Sequence, residues 1–146
     1  MGTRSLIARQ IGPDEYRTVF CQTEGHLECQ GAILAEHFTN PDQVDRLLDL
    51  GDLHRLGAKL EPGGTVALRR DRQCANTEPE INTLENLDSS GGMIEFVYIF
   101  GQDNRWKYFQ GGYLDEGLRD VKADLEALEQ GIDILKGPRL DFCDPA

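Results

Sequence analysis

The stretch MIEFVYIFGQDNRWKYFQ, Met93 to Gln110, decides the fold class. Two runs of β-branched and aromatic residues flank Gly101-Gln102-Asp103-Asn104, a four-residue connection with good turn chemistry, which predicts a β-hairpin. The first arm is apolar at nearly every residue, as expected of a central strand. In the second arm Trp106 and Tyr108 fall on one face, and Arg105, Lys107 and Phe109 on the other.

Upstream, RSLIARQIG and EYRTVFCQ have the length and composition of two further strands, joined through Gly12-Pro13-Asp14. Tyr16, Thr18 and Phe20 alternate with Arg17, Val19 and Cys21, which fits a sheet with one buried face. After Gly25 the period lengthens, and Ile33, Leu34, His37 and Phe38 share one side of a short helix. Asn40-Pro41-Asp42 combines an N-cap, a proline at the first helical position and an acid in the first turn. The helix it opens lines up Val44, Leu47 and Leu48, sets Asp42, Asp45 and Asp49 on another side, and stops at Gly51. GDLHRLG reads as one more helical turn, and TVALRR as a strand. Residues 71–90 read as a long loop with a helical turn around Leu84 and Leu87.

Downstream of Gly111-Gly112, Leu114, Leu118, Val121, Leu125 and Leu128 step by four, three, four and three toward Gly131, predicting a helix. Asp115, Glu116, Asp120, Asp124, Glu126 and Glu129 occupy its other faces, against Arg119 and Lys122. The leucine seam packs on the chain's own sheet or, alternatively, drives self-association. Residues 132–146 are expected to form a C-terminal tail. The whole predicts one α+β domain over residues 1–146, an antiparallel sheet of four to five strands with helices packed on a face.

The chain has 146 residues, 39% of them hydrophobic, which suffices for one core and argues against disorder. No apolar run approaches the roughly 20 residues needed to span a bilayer. The N-terminal segment lacks a secretory signal pattern and departs from the myristoylation pattern at Leu6, so a cytoplasmic location is expected. Of the formal net charge of −11, residues 1–72 carry −2 and residues 73–146 carry −9. So negative a half repels phosphates, so direct nucleic-acid binding is not expected, whereas a protein partner with a basic surface fits.

The segment CQTEGHLEC, Cys21 to Cys29, concentrates the thiol and imidazole chemistry. Cys21, His26 and Cys29, with Cys74 or Cys143 as a fourth ligand, form a weak zinc alternative, because the paired Cys-x-x-Cys spacing is absent. A disulfide is disfavoured in a cytosolic protein. An enzyme alternative centres on Cys21 or His26, with RRDR (Arg69 to Arg72) holding an anionic substrate. No cofactor motif is present, neither a phosphate loop nor a nucleophile elbow, and no cofactor is expected. The plainest reading is a turn from strand to helix, with Gly25 at the break and Leu27 anchoring it.

MGTRSLIA at the start, the strand running into CQTEGH, and then GAILAEHF resemble a functionally uncharacterised family of small phage and bacterial proteins. In that family the second strand enters a Cys-His-Trp-Asp-Gly-Tyr-Pro-like motif. Cys21, Gly25, Gly31, Leu34 and His37 match the pattern, whereas Gln22, Thr23, Glu24, His26 and Leu27 depart from it. The resemblance implies a phage or prophage setting, in which small acidic proteins often inhibit host proteins, CRISPR defence complexes included. The expectation is therefore a non-enzymatic inhibitor of a host protein in the host cytoplasm. It would mimic nucleic-acid phosphates with Asp115, Glu116, Asp120, Asp124 and Glu126, beside Trp106 and Tyr108. The sequence leaves the oligomeric state open.

Overall fold

The computed structural model describes residues 4–22, 25–50, 53–57, 66–67, 80–88, 94–111, 113–114 and 117–131. In chain order these form β1 (Ser5–Gly12), β2 (Glu15–Cys21), a π-helical turn (Leu27–Gly31), α1 (Ala32–His37), α2 (Pro41–Asp49), β3 (Leu53–Arg55) and β4 (Val66–Ala67). There follow β5 (Glu80–Asn82), α3 (Leu84–Asp88), β6 (Phe96–Phe100), β7 (Trp106–Gln110), β8 (Arg119–Asp120) and α4 (Val121–Glu129). The α+β class holds. Among the described residues one sheet has eight strands in the order β4-β3-β2-β1-β6-β7-β8, with β5 also paired to β2.

The hairpin forms as its residues require. Phe100 opposes Trp106 and Tyr98 opposes Tyr108 across β6 and β7, and Asn104 donates its N–H to Gly101 O at 3.0 Å to close the turn. Asn104 takes a φ of 62°, a conformation asparagine tolerates well. All five residues of β6 are buried, as befits its place between β1 and β7.

The expected antiparallel sheet of four to five strands is corrected in two ways. It has more strands, and it is mixed, because β1 runs parallel to β6 and β2 parallel to β3. GDLHRLG contributes a strand where a helical turn is expected: Leu53 pairs with Cys21, and Gln22 N–H donates to Leu53 O at 2.9 Å. Leu53 is fully buried, so the docking of this short segment on β2 overrides its local helical pattern. Within the expected 71–90 loop, Glu80–Asn82 pairs with Tyr16–Thr18, and the helical turn at Leu84 and Leu87 is present as α3. Residues 71–79 and 89–90, RRDR and the 132–146 tail lie outside the described residues.

Both faces of the sheet are covered, not one. On the first, Ile7, Val19, Cys21, Phe96, Tyr98, Phe100, Trp106 and Tyr108 pack beneath the π-helical turn, α1, α2 and α4. On the second, Leu6, Ala8, Tyr16, Val97, Ile99 and Phe109 pack with Leu84 and Leu87 of α3 and with Leu114. Period-two alternation in β2 thus separates two apolar sets rather than inside from outside.

Helix α2 follows its capping signals closely. Asn40 Oδ1 accepts the Gln43 N–H at 2.9 Å, Pro41 opens the helix, and Val44, Leu47 and Leu48 are completely buried. Its acidic side locks onto the strands: Arg9 reaches Asp45 at 2.6 Å, and Arg17 reaches Asp45 at 3.3 Å and Asp49 at 2.8 Å.

The leucine-stepped helix is shorter than its periodicity implies. Asp120 caps α4 by accepting the Ala123 N–H at 2.9 Å, so the helix starts at Val121. Gly117 has a φ of +88° and interrupts the pattern. Leu114 packs on the second face and Leu118 is exposed, while Val121, Leu125 and Leu128 face the first. The seam is therefore split between two environments, and its helical part packs on the chain's own sheet.

Candidate functional site

The hairpin aromatics build the scaffold on which any functional surface rests. Tyr98 Oη donates to Gly25 O at 2.6 Å, just before the π-helical turn. Trp106 Nε1 donates to Phe38 O at 2.7 Å, at the end of α1. Tyr108 Oη donates to Asp124 Oδ2 at 2.7 Å, on α4. Each buried donor finds its acceptor in or beside a different helical segment, so three directional bonds tie that layer to the sheet. Phe96, Tyr98 and Tyr108 fill the space between with ring centroids about 6 Å apart.

Trp106 and Tyr108 are thus interior, 5% and 1% exposed, and so is Asp124 at 7%. Both aromatics point under the helices because odd and even residues of β7 face opposite sides and the even set meets the larger core. Asp124 is held by Tyr108 and by Arg119, whose Nε donates to it at 2.6 Å. The Trp106, Tyr108 and Asp124 side chains are almost wholly buried, and Trp106 reaches solvent only where it lines a recess beside the hairpin turn. Asp120 is half-buried and spends its carboxylate on the α4 cap, whereas Glu126 is exposed. Asp115 and Glu116 lie outside the described residues.

Burial pushes the Tyr108 hydroxyl up from its ordinary value, and the hydrogen bond to Asp124 and that group's charge push it further. Tyr98 is raised well above its ordinary value, first by burial and then by Tyr108, Cys21 and Glu28. Both groups are neutral donors across the whole neutral range.

The 21–29 segment resolves into structure. His26 O accepts the N–H groups of Cys29 at 3.1 Å, Gln30 at 2.8 Å and Gly31 at 3.4 Å, which starts the π-helical turn. Leu27 is completely buried, as its anchoring role requires. A methyl group on Gly31 would meet Leu27 Cδ1 at 2.8 Å, Tyr98 at 3.3 Å and Val121 at 3.4 Å, so only glycine lets the turn sit this close to sheet and α4. Cys21 is reduced and completely buried, which denies a substrate access to its sulfur. Cys29 is disulfide-bonded, against the expectation of reduced thiols, and so offers no thiolate to a metal. Among the described residues no three His, Cys, Asp or Glu side chains are placed to hold a metal ion, so Cys21, His26 and Cys29 do not converge as ligands. The His26 ring instead lies 6.5 Å from the Phe96 ring.

What the helical layer presents outward is charge. Glu28 on the π-helical turn, Glu36 on α1, Asp42 on α2 and Glu126 and Glu129 on α4 are exposed, with Arg46 and Lys122 as exposed cations on the same segments. Sequence periodicity picks out the acids of residues 115–130 and misses Glu28 and Glu36. Glu28 between the buried Leu27 and Cys29, and Glu36 directly after the buried Leu34 and Ala35, are the signals that would have found them.

Among the described residues no helix is long and apolar enough to cross a membrane. Comparison with protein families, curated proteins and solved structures found no match to this chain.

Proposed function

We propose that this chain is a non-catalytic binding protein that presses its acidic helical layer against a basic surface of a host protein and inhibits it, as a phage- or prophage-type inhibitor would. The observation that carries the reading is that Glu28, Glu36, Glu126 and Glu129 are all exposed on adjoining helical segments that hydrogen bonds tie to the sheet. Carboxylates on a fixed frame present charge at set spacings, which suits arginine and lysine side chains that otherwise grip a nucleic-acid backbone. Long-range attraction to such a surface also speeds encounter and weakens with salt. The phage setting and an anti-defence role rest on the sequence resemblance.

The test is affinity capture from lysate of a defence-competent bacterial host, at low and high salt, with the native chain and a Glu28→Lys, Glu36→Lys, Glu126→Lys, Glu129→Lys variant. These side chains are exposed, so the variant should unfold at nearly the native temperature. A host complex held at low salt, shed at high salt and lost in the variant supports the proposal. Capture that survives charge reversal within a few-fold sinks it.

A further inference from the structure

The hairpin turn, the end of α1 and the start of α4 enclose a recess of about 240 Å3. Its apolar wall is Trp106 and Ala35, and its polar wall is Thr39, Asn104, Arg105, Asp120 and Lys122. Arg105 and Lys122 are exposed, and among the described residues neither forms an ion pair. By contrast Arg9, Arg17, Lys107 and Arg119 each face a carboxylate. In a chain of net charge −11, two cations with no carboxylate partner among the described residues thus line one cavity. The Asp120 carboxylate shares the recess but accepts the Ala123 N–H, and its single charge leaves the described lining residues net positive. The first turn of α4 adds its positive dipole end to the same wall.

We infer that this recess binds a small oxyanion, a carboxylate or a phosphate monoester. Arg105 supplies a planar fork of donors and Lys122 a point charge, the pairing that recognises such groups. Thr39 and Asn104 offer further hydrogen bonds, and the indole and Ala35 face the apolar remainder of the ligand. A space of about 240 Å3 suits the anionic end of a small metabolite. The site stands apart from the acidic layer in sign and in residues used, so its failure would leave the proposed partner surface untouched.

Trp106 is the chain's sole tryptophan, so the fluorescence comes from a residue of the recess wall. The native chain is titrated with inorganic phosphate and, separately, with succinate, each against sodium chloride at matched ionic strength. A saturable change beyond the chloride control is expected. It should weaken about tenfold for each of Arg105→Gln and Lys122→Gln, and stay unchanged in Glu95→Gln, an exposed residue outside the recess. Far-UV circular dichroism of each variant confirms that the fold is retained. A response to phosphate alone assigns a phosphate monoester, one to succinate alone a carboxylate, and both together their shared chemistry. Titrations that track chloride, or that survive in the Arg105→Gln, Lys122→Gln double variant, overturn the inference.

Discussion

On the face of the sheet that carries α1, α2 and α4, Tyr98, Trp106 and Tyr108 bury large rings and also donate hydrogen bonds to the layer above. On the opposite face Leu6, Ala8, Val97, Ile99 and Phe109 meet Leu84 and Leu87 of α3 through apolar contact. Both faces draw stability from removing apolar surface from water, a force without direction. The first face adds bonds that fail if a helix shifts by an ångström or two. On the proposed reading that difference matters, because the exposed carboxylates ride on the face tied down by these bonds. A charged surface recognises a partner by the spacing of its charges, and the aromatic donors set that spacing from beneath.

Substitutions on the two faces should separate stability from positional order. The largest effect is expected on the apolar face: Phe109→Ala removes a ring only 2% exposed and should cost about 3–5 kcal/mol by urea unfolding. A loss below about 1 kcal/mol would mean that this face contributes little. Asp124→Ala should cost about 1–3 kcal/mol, chiefly by leaving the buried Tyr108 hydroxyl without its acceptor. Nearly half of the Arg119 side chain is in water, so its pairing adds little to that figure. Adding Tyr108→Phe should recover part of the loss, and simple additivity of the two changes would contradict a shared bond.

Alkaline pH probes the same face without mutation. Tyr98 and Tyr108 keep their protons more tightly in the folded chain than in the unfolded one. Below about pH 10 both states are protonated and the contribution is complete. Above it the unfolded chain ionises first, so stability should fall as pH rises toward the higher folded values. Urea midpoints from pH 8 to 11 should therefore drop beyond about pH 10, and less steeply in a Tyr98→Phe, Tyr108→Phe variant. A flat profile would mean that the phenols are not buried. The smallest effect is expected from Arg17→Ala, because its pairs with Asp45 and Asp49 are partly exposed: below about 1 kcal/mol, and vanishing in high salt.

Local signals account for what the sequence reveals. The hairpin is legible because a turn and two flanking strands are contiguous, and α2 because Asn40 and Pro41 announce its start. The parallel pairing of Ser5–Arg9 with Phe96–Phe100 leaves no trace in either segment, since parallel neighbours lie far apart in the chain. Leu53–Arg55 is too short for a period of two to declare itself against flanking leucines. The candidate surface is half legible. Acids at helical spacing read as solvated, which holds for Glu126 and fails for Asp124, whose partners Arg119 and Tyr108 come from β8 and β7. The aromatic residues of β7 read as a surface because half of any strand's residues face outward, yet here helices cover the face that Trp106 and Tyr108 share.

The most direct test of this arrangement is hydrogen exchange at the indole N–H of Trp106, a single resonance in the nuclear magnetic resonance spectrum. With Trp106 beneath the helical layer and bonded to Phe38 O, that proton should exchange only on global unfolding, at a rate that tracks the stability measured in urea. Exchange as fast as in free tryptophan would place the indole in solvent. It would break the claim that the hairpin aromatics hold the acidic layer from within.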